Sequence, residues 1–404
     1  MKQEKLVTLI ILCIYISGCV TFRTDELRPV VNNKNAVSIE IFNNRDNLQP
    51  GPINLSEFAD SVAFIILEET DESLLSSQNI NRVFFTSDYI IVVQNGHGAF
   101  GAIFFFDRNG KYVRQISRRG QGPGEYTSMW SVMFDEQNQQ LIVYDMHPKR
   151  ILFYDIYGNF IRDISNFSHG AVIRDITNLS NGHFLCYRFD ALGGNVDQRF
   201  NGLWEVDGNG NFLRNYFMYD VQLPVMFPGV PVPAFQTLTN GTVNLKDHIH
   251  NDIYNINYHK GTVEKYISYE IRGNKYINLI GADVEMLRIN RNITAWIVQE
   301  KGDYIITYWI DEERRLLFSL FSKKTKKIRF WDAFFSYDAD IPGVIHLPVS
   351  SNSPNILVFT LDPDIIDDFL ADSNLPESTR NQLSVLSQKV KGTENPILGL
   401  VYIK

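Results

Sequence analysis

The sequence repeats one seven-residue unit three times: Phe106-Asp107-Arg108-Asn109-Gly110-Lys111-Tyr112, Tyr154-Asp155-Ile156-Tyr157-Gly158-Asn159-Phe160 and Val206-Asp207-Gly208-Asn209-Gly210-Asn211-Phe212. In each unit an acid ends one apolar run, a Gly follows three residues later, and an aromatic residue opens the next run. An Asp accepts hydrogen bonds from the backbone amides just after it, and Gly adopts the positive φ that a tight hairpin needs. Each unit is therefore predicted to join two antiparallel strands.

The spacing of these units predicts the architecture. The three aspartates lie 48 and 52 residues apart, and a weaker copy at residues 257–261 begins 50 residues after the third. A repeat of about 50 residues is typical of the blades of a β-propeller. Neighbouring blades cover both faces of each four-stranded antiparallel sheet, which explains unbroken apolar runs such as Ile103-Phe104-Phe105-Phe106. The sequence therefore predicts an all-β fold of the propeller type.

Residues 59–404 fit six blades if residues 361–391 form a small helical insertion near the C-terminus, because the other 315 residues divide into units of about 52. Five or seven blades are the alternatives. Ile365, Ile366, Phe369 and Leu370 have the spacing of one helix face, and in a second helix Leu383, Val385, Leu386 and Val390 are expected to pack on the propeller. Ring closure predicts that residues 36–41 or 62–67 share a sheet with residues 397–403.

The N-terminus carries the features of an export signal. Lys2 and Lys5 precede an apolar run at residues 6–16 that is too short to span a bilayer. Ile16-Ser17-Gly18-Cys19 follows at once and resembles the lipobox of bacterial lipoproteins. Residues 1–18 are therefore predicted to be a lipoprotein signal peptide, Cys19 the lipidated residue that anchors the chain to a membrane, and residues 19–58 a linker with a candidate closing strand. An ordinary secretory signal is the alternative.

Several further segments support a wider resemblance. They are Leu67-Glu68-Glu69-Thr70, Gly120-Gln121-Gly122-Pro123-Gly124-Glu125-Tyr126, His250-Asn251-Asp252-Ile253-Tyr254 and Asn395-Pro396-Ile397-Leu398. Together with the lipobox, they resemble the six-bladed β-propeller lipoproteins of Gram-negative envelopes, which are distantly similar to NHL-repeat propellers. The resemblance implies a lipid-anchored protein at the outer membrane, with the side of that membrane left open. It implies no chemistry, since this family has no general assigned activity.

Composition and motifs narrow the classes of function. With 38 Lys and Arg against 46 Asp and Glu the net charge is -8, which argues against a nucleic-acid partner. Cys186 lies in an apolar run and is predicted to be a small buried side chain. No Gly-x-Ser-x-Gly, His-Glu-x-x-His or Cys-x-x-Cys spacing occurs. We therefore assign no catalytic residue, no metal and no cofactor from the sequence, and expect a monomer.

One loop is a candidate binding site. It comprises Arg118, Arg119, Gly120, Gly122, Gly124, Glu125 and Tyr126. Its backbone amides could form an anion nest, with the two arginines adding positive charge. A structural crossover between blades is the favoured interpretation, because the Lys-Ser/Thr ending of a phosphate loop is absent and Pro123 removes one donor. If the loop is structural, Gly122 or Gly124 is expected to have positive φ.

Two weaker candidates remain. His248 and His250 would face one way on a strand, with Asp247 and Asp252 beside them as candidate metal ligands, although turn and surface roles are the favoured interpretation. The five tryptophans could stack on sugars, although in a propeller large aromatic side chains more often fill the space between blades.

The sequence thus leaves two classes of function. The leading hypothesis is a non-enzymatic, membrane-anchored module that binds a protein, peptide or glycan through loops at one face or at the central channel. The alternative is a metal-assisted lyase or hydrolase whose acids and histidines converge on the channel mouth from different blades. Three or more such side chains at that mouth would favour the enzyme.

Overall fold

A computed structural model describes residues 21–23, 31, 36–41, 55–95, 101–165, 167, 170–171, 173–188, 198–200, 202–218, 233–247, 252–271, 276–278, 293–311, 316–331, 341 and 347–404. The first three strands along the chain are β1 (Thr21–Arg23), β2 (Val37–Ile41) and β3 (Ala59–Ile66).

The repeated units build four-stranded antiparallel sheets, as predicted. Sheet I holds β4 (Ile80–Phe85), β5 (Tyr89–Gln94), β6 (Ala102–Asp107) and β7 (Tyr112–Ile116). Sheet II holds β8 (Met129–Asp135), β9 (Gln140–Asp145), β10 (Arg150–Asp155) and β11 (Phe160–Ile164). Sheet III holds β12 (Asp175–Asn178), β13 (Phe184–Tyr187), β14 (Gly202–Val206) and β15 (Phe212–Met218).

The second half of the chain continues this pattern. Sheet IV holds β16 (Phe235–Thr237), β17 (Val243–Lys246), β18 (Ile253–Asn257) and β19 (Thr262–Ile271), and β20 (Tyr276–Asn278) follows and pairs with β1. Sheet V holds β21 (Ile293–Lys301), β22 (Tyr304–Asp311), β23 (Leu316–Ser322) and β24 (Ile328–Trp331). Sheet VI holds β25 (Leu347–Ser351), β26 (Ile356–Leu361) and β27 (Ile397–Ile403).

The N-terminal part of the chain completes sheet VI. Strand β3 pairs antiparallel with β27, with Ala63 opposite Leu400, and so supplies the fourth strand of that sheet. Of the two pairings expected for ring closure, this is the one that the structure has. Strand β2 instead pairs in parallel with β19, with Ser38 opposite Ser268, and buries Ile39 between sheets IV and V. The parallel pairing of β25 with β4 joins sheets VI and I into one continuous sheet of eight strands.

The core is divided between consecutive sheets. Among the described residues, the buried apolar side chains form six clusters. Five of them lie between one sheet and the next along the chain, and the sixth joins sheet VI to sheet I, where Leu398 and Leu400 pack with Phe104 and Phe106. A succession of sheets whose last member packs on the first is propeller-like. The all-β prediction is confirmed.

The repeated turns have the predicted chemistry and also join neighbouring sheets. Oδ1 of Asp107 accepts hydrogen bonds from the amides of Asn109, at 2.8 Å, and Lys111, at 2.9 Å. The Lys111 and Asn109 amides hold the pKa of Asp107 below its usual value. Gly110 has φ +88°, and a Cβ there would lie 2.0 Å from the carbonyl oxygen of Ile66 on sheet VI. The turn therefore requires Gly both for its conformation and for its contact with the preceding sheet.

Two helices, α1 (Ile365–Ala371) and α2 (Glu377–Lys389), lie between β26 and β27. Phe369, Leu383 and Leu386 are buried in the cluster between sheets V and VI, as expected for helices packed on the sheets. The expectation for Val385 is wrong, since this side chain is 54% exposed. It lies two residues after Leu383, which places it on the opposite side of the helix. Among the described residues, no helix is long and apolar enough to cross a membrane.

Candidate functional site

The connection between β7 and β8 contains the predicted binding loop, and sheets I and II hold its backbone firmly. The amide of Gly120 donates to the carbonyl of Tyr126 at 3.1 Å, and the amide of Tyr126 donates to the carbonyl of Arg118 at 2.8 Å. The Tyr126 hydroxyl donates to the carbonyl of Gly101 at 2.7 Å, and burial raises its pKa to about 12. Tyr154 on β10 donates to the carbonyl of Gly124 at 3.0 Å. The loop is thus a fixed crossover between two sheets.

The carboxylate of Glu125 lies where the sequence suggested that an external anion could bind. The amide of Gly122 donates to Oε2 of Glu125 at 2.9 Å. A Cβ on Gly120 would lie 1.9 Å from the same oxygen, so the absence of a side chain there lets the carboxylate approach the backbone. The Glu125 carboxylate of the loop itself therefore takes the place of an external anion at the amide of Gly122.

The two arginines at the start of the loop are exposed to solvent. Nη2 of Arg118 donates to the carbonyl of Gly158, in the turn of sheet II, at 3.3 Å. Arg119 forms an isolated parallel bridge with Tyr126 through the backbone. Arg150 donates to the carbonyl of Glu125 and pairs at 3.3 Å with the buried carboxylate of Asp145. The predicted site residues therefore lie together on one rigid loop, and Arg118 and Arg119 place positive charge on its surface.

Replacement of Gly124 tests the structural role of this loop. Gly124 has φ +71°, and its Cβ would lie 2.7 Å from Cβ of Phe160, whereas at Gly122 the nearest contact is the flexible Glu125 carboxylate at 3.1 Å. We expect Gly124→Val to lower the free energy of unfolding by about 1–3 kcal/mol through backbone strain alone, with the Phe160 clash adding to it. Gly122→Val should cost less. Denaturant unfolding of both variants measures the difference.

The control for this prediction is the pair Arg118→Ala with Arg119→Ala, which should change stability by about 0–1 kcal/mol per charge. A Gly124→Val variant that unfolds like the wild type would show that the structural role of the loop is wrong.

A second polar cluster, which the sequence did not indicate, lies near the start of the first strands of sheets I to IV. Nη2 of Arg82 on β4 contacts both carboxylate oxygens of Asp175 on β12, at 2.9 and 3.1 Å. Ser131 on β8 donates to the same carboxylate at 2.9 Å. The amides of Ala234 and Phe235 donate to it at 2.7 and 3.1 Å. This buried carboxylate therefore links the first strands of four sheets, β4, β8, β12 and β16, through hydrogen bonds.

A small cleft, partly open to solvent, lies between sheets IV and V. Glu300 on β21 lines it and accepts hydrogen bonds from Asn244 at 2.8 Å and Lys323 at 3.0 Å. Gln236 exchanges two hydrogen bonds with the backbone of Glu300, both 2.7 Å long. These polar groups hydrogen-bond to one another across the two sheets. The cleft is therefore better described as an interface between sheets than as a ligand pocket.

The remaining candidates from the sequence are the His and Asp cluster, the tryptophans and Cys186. His248 and His250 lie outside the described residues, while Asp252 is buried and pairs with Lys265 at 2.8 Å. No group of three metal-binding side chains occurs in the described part of the chain. Trp130, Trp204, Trp309 and Trp331 are buried. The side chain of Trp296 lies outside the described residues. Cys186 is buried as predicted, and burial raises the pKa of its thiol well above the usual value.

Comparison with known proteins places the chain in a family. The family described as Domain of unknown function (DUF4934) matches residues 36–402. The chain belongs to this family. No curated protein matches the DUF4934 chain by sequence.

Solved structures show the fold that the DUF4934 chain shares. A putative exported protein from Bacteroides fragilis is 16% identical with a TM-score of 0.71, over 91% of this chain and 99% of that one. A member of the DUF4221 family from Bacteroides vulgatus is 10% identical with a TM-score of 0.51, over 86% and 97%. The WD40 repeats of RRP9 match at 9% identity and a TM-score of 0.42, over 85% and 98%. At these identities the first two similarities concern the fold alone.

Proposed function

We propose that this DUF4934 chain is a six-bladed β-propeller, held in the cell envelope by a lipid on Cys19, that binds a protein, peptide or glycan. Six blades are supported by the clusters that join each sheet to the next and sheet VI to sheet I. An envelope location is supported by the lipobox at residues 16–19 and by the exported protein from Bacteroides fragilis that shares the fold.

The main support for the binding role is the rigid crossover loop between β7 and β8. Exposed arginines contribute little to folding, yet Arg118 and Arg119 open a loop whose backbone is fixed by hydrogen bonds to two sheets. A rigid support reduces the ordering cost of recognition. Asp175, by contrast, has its carboxylate engaged by Arg82, Ser131 and backbone amides, which supports a structural role for it. Within the described residues no observation favours the lyase or hydrolase alternative.

Co-purification from native membranes tests this role. The full chain should retain a partner that the Arg118→Ala, Arg119→Ala variant loses. The matched control removes the same charge from two exposed lysines of the turn between β23 and β24, Lys324→Ala with Lys327→Ala, and should retain it. Equal recovery of partners by both double variants would contradict the assignment of the site.

The anchor is tested by metabolic labelling. We expect the wild-type chain to incorporate a labelled fatty acid and to sediment with membranes, and Cys19→Ala to lose both properties, because the acylated thiol is the proposed point of attachment. Cys186→Ala serves as the control, since this buried thiol should not be acylated. Equal labelling of the Cys19 variant would overturn the anchor.

A further inference from the structure

The three repeated turns share one backbone geometry but differ in one side chain. The residue two positions after the Asp donates its amide to the Asp carboxylate in every turn: Asn109 at 2.8 Å, Tyr157 at 2.8 Å and Asn209 at 2.9 Å. The turn therefore needs only the amide of this residue. An Asn suffices twice, whereas Tyr157 places a large ring there and leaves it 66% exposed. Neither turn chemistry nor burial explains this ring.

Two guanidinium groups contact the turn that carries Tyr157. Arg114 on β7 donates to the carbonyl of Ile156, and Arg118 donates to the carbonyl of Gly158 at 3.3 Å. These carbonyls belong to the residues on either side of Tyr157. The Arg114 guanidinium also lies 5.7 Å from the centre of the Tyr157 ring and 4.4 Å from that of Phe105. The turn that carries the exposed ring is therefore held by hydrogen bonds from sheet I and the loop that follows it.

Charges of both signs lie at the turn that carries the ring. The carboxylate of Asp155, in the same turn, is occupied by the amides of Tyr157 and Asn159, both at 2.8 Å. The exposed Arg118 adds a guanidinium at the turn, and the Glu125 carboxylate nearby is held by its own loop. A ligand that approaches Tyr157 therefore meets an aromatic face and an exposed arginine.

We propose that Tyr157 and Arg118 form a subsite for a saccharide unit that carries a carboxylate. The apolar C–H face of a sugar ring packs on an exposed aromatic ring, and a guanidinium pairs with a carboxylate in a charge-assisted hydrogen bond. This inference rests on the proposed binding function and narrows its ligand to an acidic glycan. Arg114 supports the turn and is a positioning residue.

The test uses the full mature chain and two probes, oligogalacturonate and its fully methyl-esterified form, in calorimetric titrations. The wild type should bind the acidic probe more tightly than the ester. Tyr157→Asn installs the residue that the other two turns use, so the fold should be retained while affinity for the acid falls about tenfold, near the upper range for aromatic contacts. Arg118→Gln should abolish the preference for acid over ester. Lys111→Gln, which removes an exposed cation beside the first turn, should change neither.

Tyr157→Asn that melts like the wild type and binds the acid equally well would overturn the subsite. So would a wild-type chain that binds neither probe. If that same chain still retains a membrane partner through Arg118 and Arg119, the binding function stands and only the acidic-glycan inference fails.

Discussion

Deletion of residues 396–404 is expected to unfold the whole chain. The deletion removes β27, which lies between β26 and β3 and is the link through which the N-terminal strand joins sheet VI. Without it β3 has no partner in that sheet, and the clusters that sheet VI shares with sheets V and I both lose side chains. The effect should therefore extend around the ring instead of staying local.

The size of the effect follows from burial. Five apolar side chains of β27 are nearly inaccessible: Ile397, Leu398, Leu400, Val401 and Ile403. At about 1.5–3 kcal/mol for each buried aliphatic side chain, their loss amounts to about 8–15 kcal/mol. A typical domain is stable by only about 5–15 kcal/mol, so the truncated chain should not hold a native fold.

Tyr402→Ala is the matched control, because this side chain of the same strand is 38% exposed and the backbone ladder is retained. It should lower stability by only about 1 kcal/mol. Circular dichroism and limited proteolysis of the two variants measure the contrast. A truncated chain that melts cooperatively at the wild-type temperature would show that β27 does not close the fold.

The local chemistry of the repeated turns made the sheets predictable. Asp107, Asp155 and Asp207 act through amides two and four residues away, so sequence spacing alone defines their hydrogen bonds. The same unit also contains an Arg four residues after each Gly. Arg114 reaches the next turn, at Ile156, and Arg214 pairs at 3.1 Å with the buried Glu205. Extending the repeat to this Arg would have indicated a contact between neighbouring strands or sheets.

Contacts between distant parts of the chain could not be predicted in this way. The pattern of Val37–Ile41 fits any strand, and only the three-dimensional arrangement selects β19 as its partner. Arg82 and Asp175 are 93 residues apart and belong to no repeated spacing. Their charges within strands were the available clue, since a charged side chain in a buried strand needs a partner. The exposed ring of Tyr157 likewise became informative only beside the two turns that carry Asn109 and Asn209.

The Arg82–Asp175 pair should respond unequally to the removal of its two members. Asp175→Ala leaves the buried Arg82 guanidinium without its carboxylate and leaves the amides of Ala234 and Phe235 without their acceptor. Removing one partner of a buried ion pair typically costs about 3–5 kcal/mol, because an uncompensated charge remains. Arg82→Ala should cost less, about 1–3 kcal/mol, since the carboxylate keeps its hydrogen bonds from Ser131 and from backbone amides.

The double variant separates loss of the pair from general damage to the first strands. If the unpaired guanidinium causes most of the destabilisation in Asp175→Ala, then adding Arg82→Ala should restore part of the stability, and the double variant should unfold at higher denaturant than Asp175→Ala alone. Purely additive losses would mean that the two residues act independently, in spite of the 2.9 Å contact between them. Partial restoration instead identifies Asp175 as the acceptor that neutralises Arg82 and joins the starts of β4, β8, β12 and β16.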